Sequence, residues 1–426
     1  MVKKIFNEAV FKLYNAGWAV AIPFLKKNSR MAEGFDQRVL DGVSLPEAGV
    51  WIQAASGGEA YLALELLKRI RFKERVSILV TSNTTQGLEI LAEGLTSFDD
   101  TNIVVTISYA PFDHPGIISK AVSQVKPKVM VLLELELWPG LLKALKNNNC
   151  KTIVINGRLT QKSLKGYLKW PSLWRDIAPC DVLAISESDA GRFKSLFPEA
   201  AVGVMHNIKF DRVGINNDDV AAVNPLSVLK NKFRNVIVLG SVRAEEEDAV
   251  GRMICHLLKA NTDVDIWLFP RHMDRVDFWK QFLDKNQMRW ALRSEKNETE
   301  SSENIILWDR FGELSYAYKV ADAAFVGGSL APLGGQNFLE VLSAGLLPVT
   351  GPSWGNFLWT GEEILENKLL YKEEGWEKVS ERLLDQISNS VSRDEVRARL
   401  VEYIERHQGG TQVANDKIKE IYYGHC

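Results

Sequence analysis

Short apolar runs of strand length alternate with amphipathic stretches of helical period along most of the chain. The runs 49–54, 76–81, 103–107, 129–133, 152–155 and 182–185 form a first series, separated by helix-period segments such as 59–70 and 86–94. A second series follows at 236–239, 264–269, 305–308, 323–326 and 347–349. Continuous apolar strands separated by helices describe parallel sheets covered on both faces by crossover helices, which is the α/β class. The polar, weakly periodic stretch 214–235 between the two series marks a linker, leaving two α/β domains at 31–213 and 236–393. Residues 394–426 have helical period and are expected to return to the first domain. Doubly wound sheets bind ligands beyond the carboxyl ends of their strands, so the two domains are expected to face each other across a cleft.

Residues 1–30 break this alternation. Phe11, Leu13, Tyr14, Trp18, Val20, Ile22, Phe24 and Leu25 form an apolar and aromatic stretch flanked by Lys3, Lys4, Lys12, Lys26, Lys27 and Arg30. A spanning helix needs about 20 predominantly apolar residues, and Lys12, Asn15, Gly17 and Pro23 interrupt this one. No small-residue cleavage site follows it before the basic cluster, which argues against a removable signal. The pattern predicts an interfacial anchor helix on an anionic membrane surface. A helix packed on its own domain is the alternative.

Composition adds bounds. A chain of 426 residues suits two domains of about 150 to 200 residues each. A net charge of -2 gives no general attraction to nucleic acid, so an anionic partner must be held by local basic groups. Cys150, Cys180, Cys255 and Cys426 lie far apart without CxxC spacing, which argues against a metal knuckle or disulfide framework and for a cytosol-facing, reducing compartment.

Two glycine-rich turns carry the candidate chemistry. One is Trp51 to Glu59, reading W-I-Q-A-A-S-G-G-E; the other runs from Gly327-Gly328-Ser329 through Gly334-Gly335-Gln336-Asn337 to Glu340. Each reads as strand, turn, helix, where unpaired amides and the helix dipole favour an anion. Glu59 opens a helix, where it either complements the dipole or serves as a general base. Glu134 and Glu136 alternate on a strand ending at Trp138-Pro139, so they are expected on opposite faces, with only one reaching the cleft. A carboxylate at that position needs a partner or a function; an ion pair with a loop lysine is the structural alternative. Asn337 and Glu340 have the spacing of a capping box. Asp263-Val264-Asp265 leads into the apolar Ile266 to Phe269 and reads as the start of a strand, so no metal site is expected there.

Taken together, Trp51 to Glu59, Glu134-Leu135-Glu136-Leu137-Trp138-Pro139, Asn156-Gly157-Arg158-Leu159, Asn207-Ile208-Lys209-Phe210-Asp211, Pro270-Arg271-His272, Gly312-Glu313-Leu314 and Gly327 to Glu340 resemble, in order and approximate spacing, the transferases of 3-deoxy-D-manno-octulosonic acid (Kdo). The resemblance runs from the N-terminal segment to about Phe357. It implies a GT-B architecture of two Rossmann-like domains and inverting transfer of Kdo from CMP-Kdo to a lipid A precursor, lipid IVA. It further implies no metal or other cofactor, and work at the cytoplasmic face of the inner membrane.

The resemblance also implies roles. Glu59 becomes the base, with Glu136 or Glu134 orienting the acceptor or stabilising charge. Ser56, Gly58, Arg158 and Lys209 fall to the acceptor or to anions. Ser241, Arg271, His272, Gly312, Glu313, Gly328, Ser329, Gly335, Asn337, Glu340 and Asn356 fall to the donor, with Glu340 on the ribose hydroxyls if it is not a cap. The sequence departs from the family pattern at Gly58, at Leu135, at Gln336, in the turn Gly240-Ser241-Val242-Arg243 and at Ser353-Trp354. Three histidine positions have changed among these, which leaves a UDP-sugar transferase or epimerase, or a catalytically silent lipid- or partner-binding homologue, as rival expectations.

Overall fold

The computed structural model describes residues 2–213, 224–261, 263–296 and 303–424. The run 214–219 that opens the expected linker, Cys426, and the side chains of Lys3, Lys4 and Arg30 lie outside what is described. The chain divides into two compact units, the first built from residues up to Val213 and from His407 onward, the second from the intervening segment.

In the first unit, seven strands are all parallel: β1 (Val50–Gln53), β2 (Val76–Ser82), β3 (Ile103–Tyr109), β4 (Val129–Leu133), β5 (Lys151–Gly157), β6 (Asp181–Ala184) and β7 (Ala201–Val204). Their order is β3-β2-β1-β4-β5-β6-β7. Side chains alternate between faces as the pleat requires. Trp51, Leu79, Met130, Leu132 and Val154 pack on one side, and Val50, Ile52, Ile78, Val80, Val131 and Ile153 on the other. The strand order reverses between β1 and β4, so a crevice for ligand is expected where these two strands end.

The second unit repeats the plan with β8 (Asn235–Val242), β9 (Val264–Pro270), β10 (Trp290–Leu292), β11 (Ile305–Leu307), β12 (Ala323–Val326), β13 (Pro348–Thr350) and β14 (Tyr371–Lys372), ordered β10-β11-β9-β8-β12-β13-β14. Its switch point lies between β8 and β12. Asp265, on β9, is engaged by Arg234 at 2.9 Å.

The apolar runs located eleven of these strands; β7, β10 and β14 were not among them. All three lie at sheet edges and carry few or no buried residues, so they lack the continuous apolar run by which a central strand is read.

The chain also rejoins the first unit later than residue 394. Helix Arg393–His407 belongs almost wholly to the second unit, where Arg393 donates to Ala344 O at 2.6 Å and Tyr403 is buried against Thr360. Helical period marks a helix but not which sheet covers its apolar face. Only helix Gly410–Tyr422 returns, burying Ala414, Ile418 and Ile421 in the first core. The Asp211 carboxylate fixes its start, accepting from Gly409 N at 2.8 Å, Thr411 N at 2.7 Å and Thr411 Oγ1 at 2.6 Å.

Helix Val2–Leu25 lies partly on the first unit. Phe11 is buried, Tyr14 Oη donates to Asp113 Oδ2 at 2.7 Å, and Trp18 packs on Phe112 with ring centroids 5.7 Å apart. Leu13, Val20 and Phe24 on the same helix remain two-thirds or more exposed. Among the described residues no helix is long and apolar enough to cross a membrane.

Candidate active site

Glu59 follows β1 and stands at the third position of helix Gly57–Arg69. Ser56 caps this helix, its Oγ accepting from Glu59 N at 3.4 Å, while the Glu59 carboxylate accepts from Ala55 N and from Ser56 N at 3.2 Å. A reciprocal capping box therefore forms here. It holds a carboxyl group that is only 7% exposed. Burial, then Glu136 and Glu134, push its pKa up to about 8, against the pull of the two amides. A Cβ at Gly58 would meet nothing nearer than Ser56 Oγ at 3.7 Å, so the site has room for a side chain at this departure from the family pattern.

The same pairing does not form at Asn337 and Glu340. There the helix is Leu339–Ser343, and Glu340 Oε1 accepts from the Asn337 side chain at 2.8 Å rather than from a backbone amide. Both side chains are exposed.

Glu134 and Glu136 do not alternate on a strand. β4 ends at Leu133, and Glu134 has a left-handed backbone with φ 55°, which breaks the two-residue period. Both carboxylates consequently act on Glu59. Glu134 Oε1 pairs with Lys209 Nζ at 2.8 Å, and Glu136 Oε2 accepts from Trp138 Nε1 at 2.6 Å. Burial raises the Glu136 pKa, with the indole N–H opposing it. These three carboxylates stand at the β1/β4 switch point.

Lys209 is thus committed to Glu134 in addition to any anion it could hold. Its loop is set by two buried asparagines. Asn156 accepts from Ile208 N at 3.0 Å, and Asn207 accepts from Lys209 N at 3.0 Å. Asn156 takes a left-handed backbone, φ 57°, at the end of β5. Its neighbour Arg158 is half-buried and forms no side-chain hydrogen bond or ion pair with another described residue.

In the second unit the expected cradle is filled by the protein itself. Glu246, 2% exposed, accepts from Gly328 N at 2.5 Å, Ser329 N at 3.1 Å, Leu330 N at 3.1 Å and Arg243 N at 3.0 Å. The amides of the Gly327 turn are therefore occupied by an internal carboxylate and are not offered to a phosphate. Glu246 was not among the candidates; the signal available was its place three residues after Arg243, just beyond β8.

Several other donor-side candidates also maintain the fold. Ser329 Oγ donates to Val326 O at 2.6 Å and accepts from Gly351 N at 2.9 Å. Asn356 Nδ2 donates to Leu333 O at 3.3 Å and Gly335 O at 3.2 Å. Glu313 takes a two-point contact from Arg293, at 2.8 and 3.1 Å, and one from Trp308 Nε1 at 2.8 Å, just after Gly312 with φ 84°. Ser241 has φ 56° at a register shift between β8 and β9. Arg271 and His272 follow β9 with exposed side chains, and Arg271 N bonds to Val242 O at 2.8 Å, which ties the two strand ends together. Arg271, His272, Asn337, Glu340 and Asn356 are thus the donor-side candidates with exposed side chains, and Asn356 among them is engaged with two carbonyls.

Residues 26–212 match the family model described as 3-Deoxy-D-manno-octulosonic-acid transferase (kdotransferase). A 3-deoxy-D-manno-octulosonic acid transferase of Bordetella pertussis is 30% identical over 320 residues, covering 73% of this chain and 72% of its own. One from Haemophilus influenzae is 28% identical over 88% of this chain and 87% of its own. A bifunctional glycosyltransferase/methyltransferase of Fusobacterium nucleatum is 29% identical over 88% of this chain, which spans 58% of that longer relative. Among solved structures, a glycosyltransferase from Rickettsia africae superposes with TM-score 0.58 at 12% identity, covering 90% of this chain and 100% of that one. The UDP-GlcNAc 2-epimerase of Neisseria meningitidis gives 0.54 at 14% identity, over 88% and 99%. At these identities the two structures speak for the two-unit GT-B fold alone.

Proposed function

The chain belongs to the 3-deoxy-D-manno-octulosonic acid (Kdo) transferase family, and on that premise we propose that it transfers Kdo from CMP-Kdo to a hydroxyl of the tetraacylated lipid A precursor, lipid IVA, with inversion. The observation that carries this reading is Glu59: a buried carboxyl at the β1/β4 switch point, raised to about 8 and flanked by two further carboxylates. An attacking hydroxyl must lose its proton as the new C–O bond forms. A base whose pKa lies near the working pH is suited to that transfer, a contribution of about 10²- to 10⁴-fold.

In the proposed step the acceptor oxygen bonds to the anomeric carbon of Kdo, the bond from that carbon to the phosphate oxygen breaks, CMP leaves with the electron pair, and Glu59 keeps the proton. Since Glu246 fills the Gly327 turn, charge on the departing CMP falls to Arg271 and His272 rather than to backbone amides. Arg158, which has a planar fork and no partner among the described residues, suits the carboxylate of a sugar acid. No metal is assigned a part; CMP-Kdo is a substrate. Exposed Leu13, Val20 and Phe24, with Lys12, Lys26 and Lys27 nearby, support a peripheral seat on the anionic cytoplasmic face of the inner membrane.

The test is CMP release from freshly made CMP-Kdo with the tetraacylated disaccharide, followed by the mass of the lipid. Lipid-dependent release with a matching mass gain, lost in Glu59→Gln, is expected. Folded protein that leaves CMP-Kdo intact while consuming a UDP-sugar would overturn the reading.

A further inference from the structure

We propose that one acyl chain of the acceptor is held in an apolar channel beneath helix Val2–Leu25, an assignment that rests on the acylated acceptor proposed above. The channel has two parts. An inner cavity of about 170 Å³ is walled chiefly by Trp18, Trp51, Phe112, Ile118, Trp138 and Leu141. An open groove of about 690 Å³ runs along the helix past Leu13, Gly17, Ala21 and Trp170. Trp18 and Leu25 line both, so the two adjoin at that helix.

Several polar groups at the inner wall are paired with protein partners. Thr81 Oγ1 donates to Gln53 Oε1 at 2.6 Å, and Gln53 Nε2 donates to Asn83 Oδ1 at 3.2 Å. Trp51 Nε1 donates to Thr81 Oγ1 at 2.8 Å. Asp113 accepts from Tyr14, from Gly140 N at 2.8 Å and from Leu141 N at 2.6 Å. A buried water needs about two to four polar partners, and these walls present mainly ring faces and methyl groups. Hydrocarbon is the matching occupant.

Position selects the acceptor among hydrocarbons. Trp138, on the cavity wall, donates its indole N–H to Glu136, and Glu136 is the charge that acts most strongly on Glu59. A chain seated past Trp138 leaves its polar head at the carboxylate cluster, where the hydroxyl to be deprotonated must be. Phosphatidylethanolamine has no hydroxyl to place there and gains nothing from that position.

A Cβ at Gly17 would meet nothing within 4 Å, and Gly17 lines the groove, so Gly17→Phe is expected to place its ring there. Ala21→Phe does so from the next turn. Initial rates are measured in one detergent with the tetraacylated disaccharide and with its fully deacylated counterpart. The variants are expected to raise KM for the acylated acceptor about tenfold, equivalent to fewer than two buried methylenes, while the deacylated one is used as by wild type.

A readout independent of turnover is quenching of tryptophan emission by an acceptor brominated along its acyl chain, expected in wild type and reduced in both variants. Equal KM changes for both acceptors, absence of quenching, or relief of quenching by an equal concentration of phospholipid would each overturn the channel. Wild-type protein that is quenched but turns over neither acceptor would instead overturn the proposed reaction and leave the channel standing.

Discussion

Lys209 Nζ lies 2.8 Å from Glu134 Oε1, joining the loop after β7 to the turn after β4. This pair bears on the charge around Glu59, because Glu134 and Glu136 both raise its pKa and Lys209 is paired with Glu134. The base form is the ionised one, so kcat/KM is expected to rise with pH through about 8. Glu136→Gln removes a like charge and should move that acid limb to lower pH. Lys209→Met removes the offsetting cation and should move it to higher pH. Limbs that shift together, or not at all, would mean that Glu59 is not the titrating base.

Stability should report the same carboxyl. A folded-state pKa raised from 4.5 to about 8 means that the native state holds the proton more tightly than the unfolded chain. That contribution is complete below about pH 4.5 and is lost as pH rises through about 8. Glu59→Gln never ionises, so its midpoint denaturant concentration relative to wild type should improve between pH 5 and pH 9. Because a glutamine oxygen can still accept from Ser56 N, the helix cap is largely kept. A constant difference across that range would count against the raised pKa.

Glu246 predicts a structural result where a catalytic one is tempting. Its removal leaves the amides of Arg243, Gly328, Ser329 and Leu330 without their acceptor. Glu246→Ala is expected to destabilise the protein by about 3 kcal/mol or more, read by urea denaturation. CMP-Kdo protection of the second unit should fall with it. A fully stable variant with lost turnover would reassign Glu246 to the donor.

The turn itself tolerates no side chain at Gly351, where a Cβ would lie 2.4 Å from Ser329 O, a backbone atom. Gly351→Ala should therefore cost about 1 to 3 kcal/mol in the same assay. Gly58→Ala, with open space at its Cβ, should cost far less.

The sequence made the central strands legible because each is a buried apolar run. It did not make the carboxylate cluster legible. The alternation assigned to Glu134 and Glu136 presumes a strand, and a single left-handed residue at Glu134 cancels it. Capping likewise depends on where a helix begins. The Asn337–Glu340 spacing fits a capping box, yet the helix there starts at Leu339, whereas Ser56 and Glu59 form the box around a helix that starts at Gly57. The glycine-rich turn after β12 gave the right loop and the wrong anion, because the carboxylate that fills it lies more than eighty residues earlier in the chain. Such long-range partners leave no local pattern.

The exposed face of helix Val2–Leu25 makes a last prediction separable from the acyl channel. Val20 and Phe24 are each 67% exposed and do not line either part of the channel. Burying two such side chains in an interface contributes about 1.5 to 3 kcal/mol each, and each nearby lysine adds about 1 kcal/mol on an anionic surface. The double variant Val20→Glu, Phe24→Glu should therefore weaken binding to vesicles containing anionic lipid by about a hundredfold or more, with unchanged thermal stability because neither side chain is buried. Its rate with a deacylated, soluble acceptor should match wild type. Wild-type binding should also weaken as salt is raised, since the lysine term is screened. Undiminished sedimentation of the double variant with vesicles would place the membrane contact elsewhere on the chain.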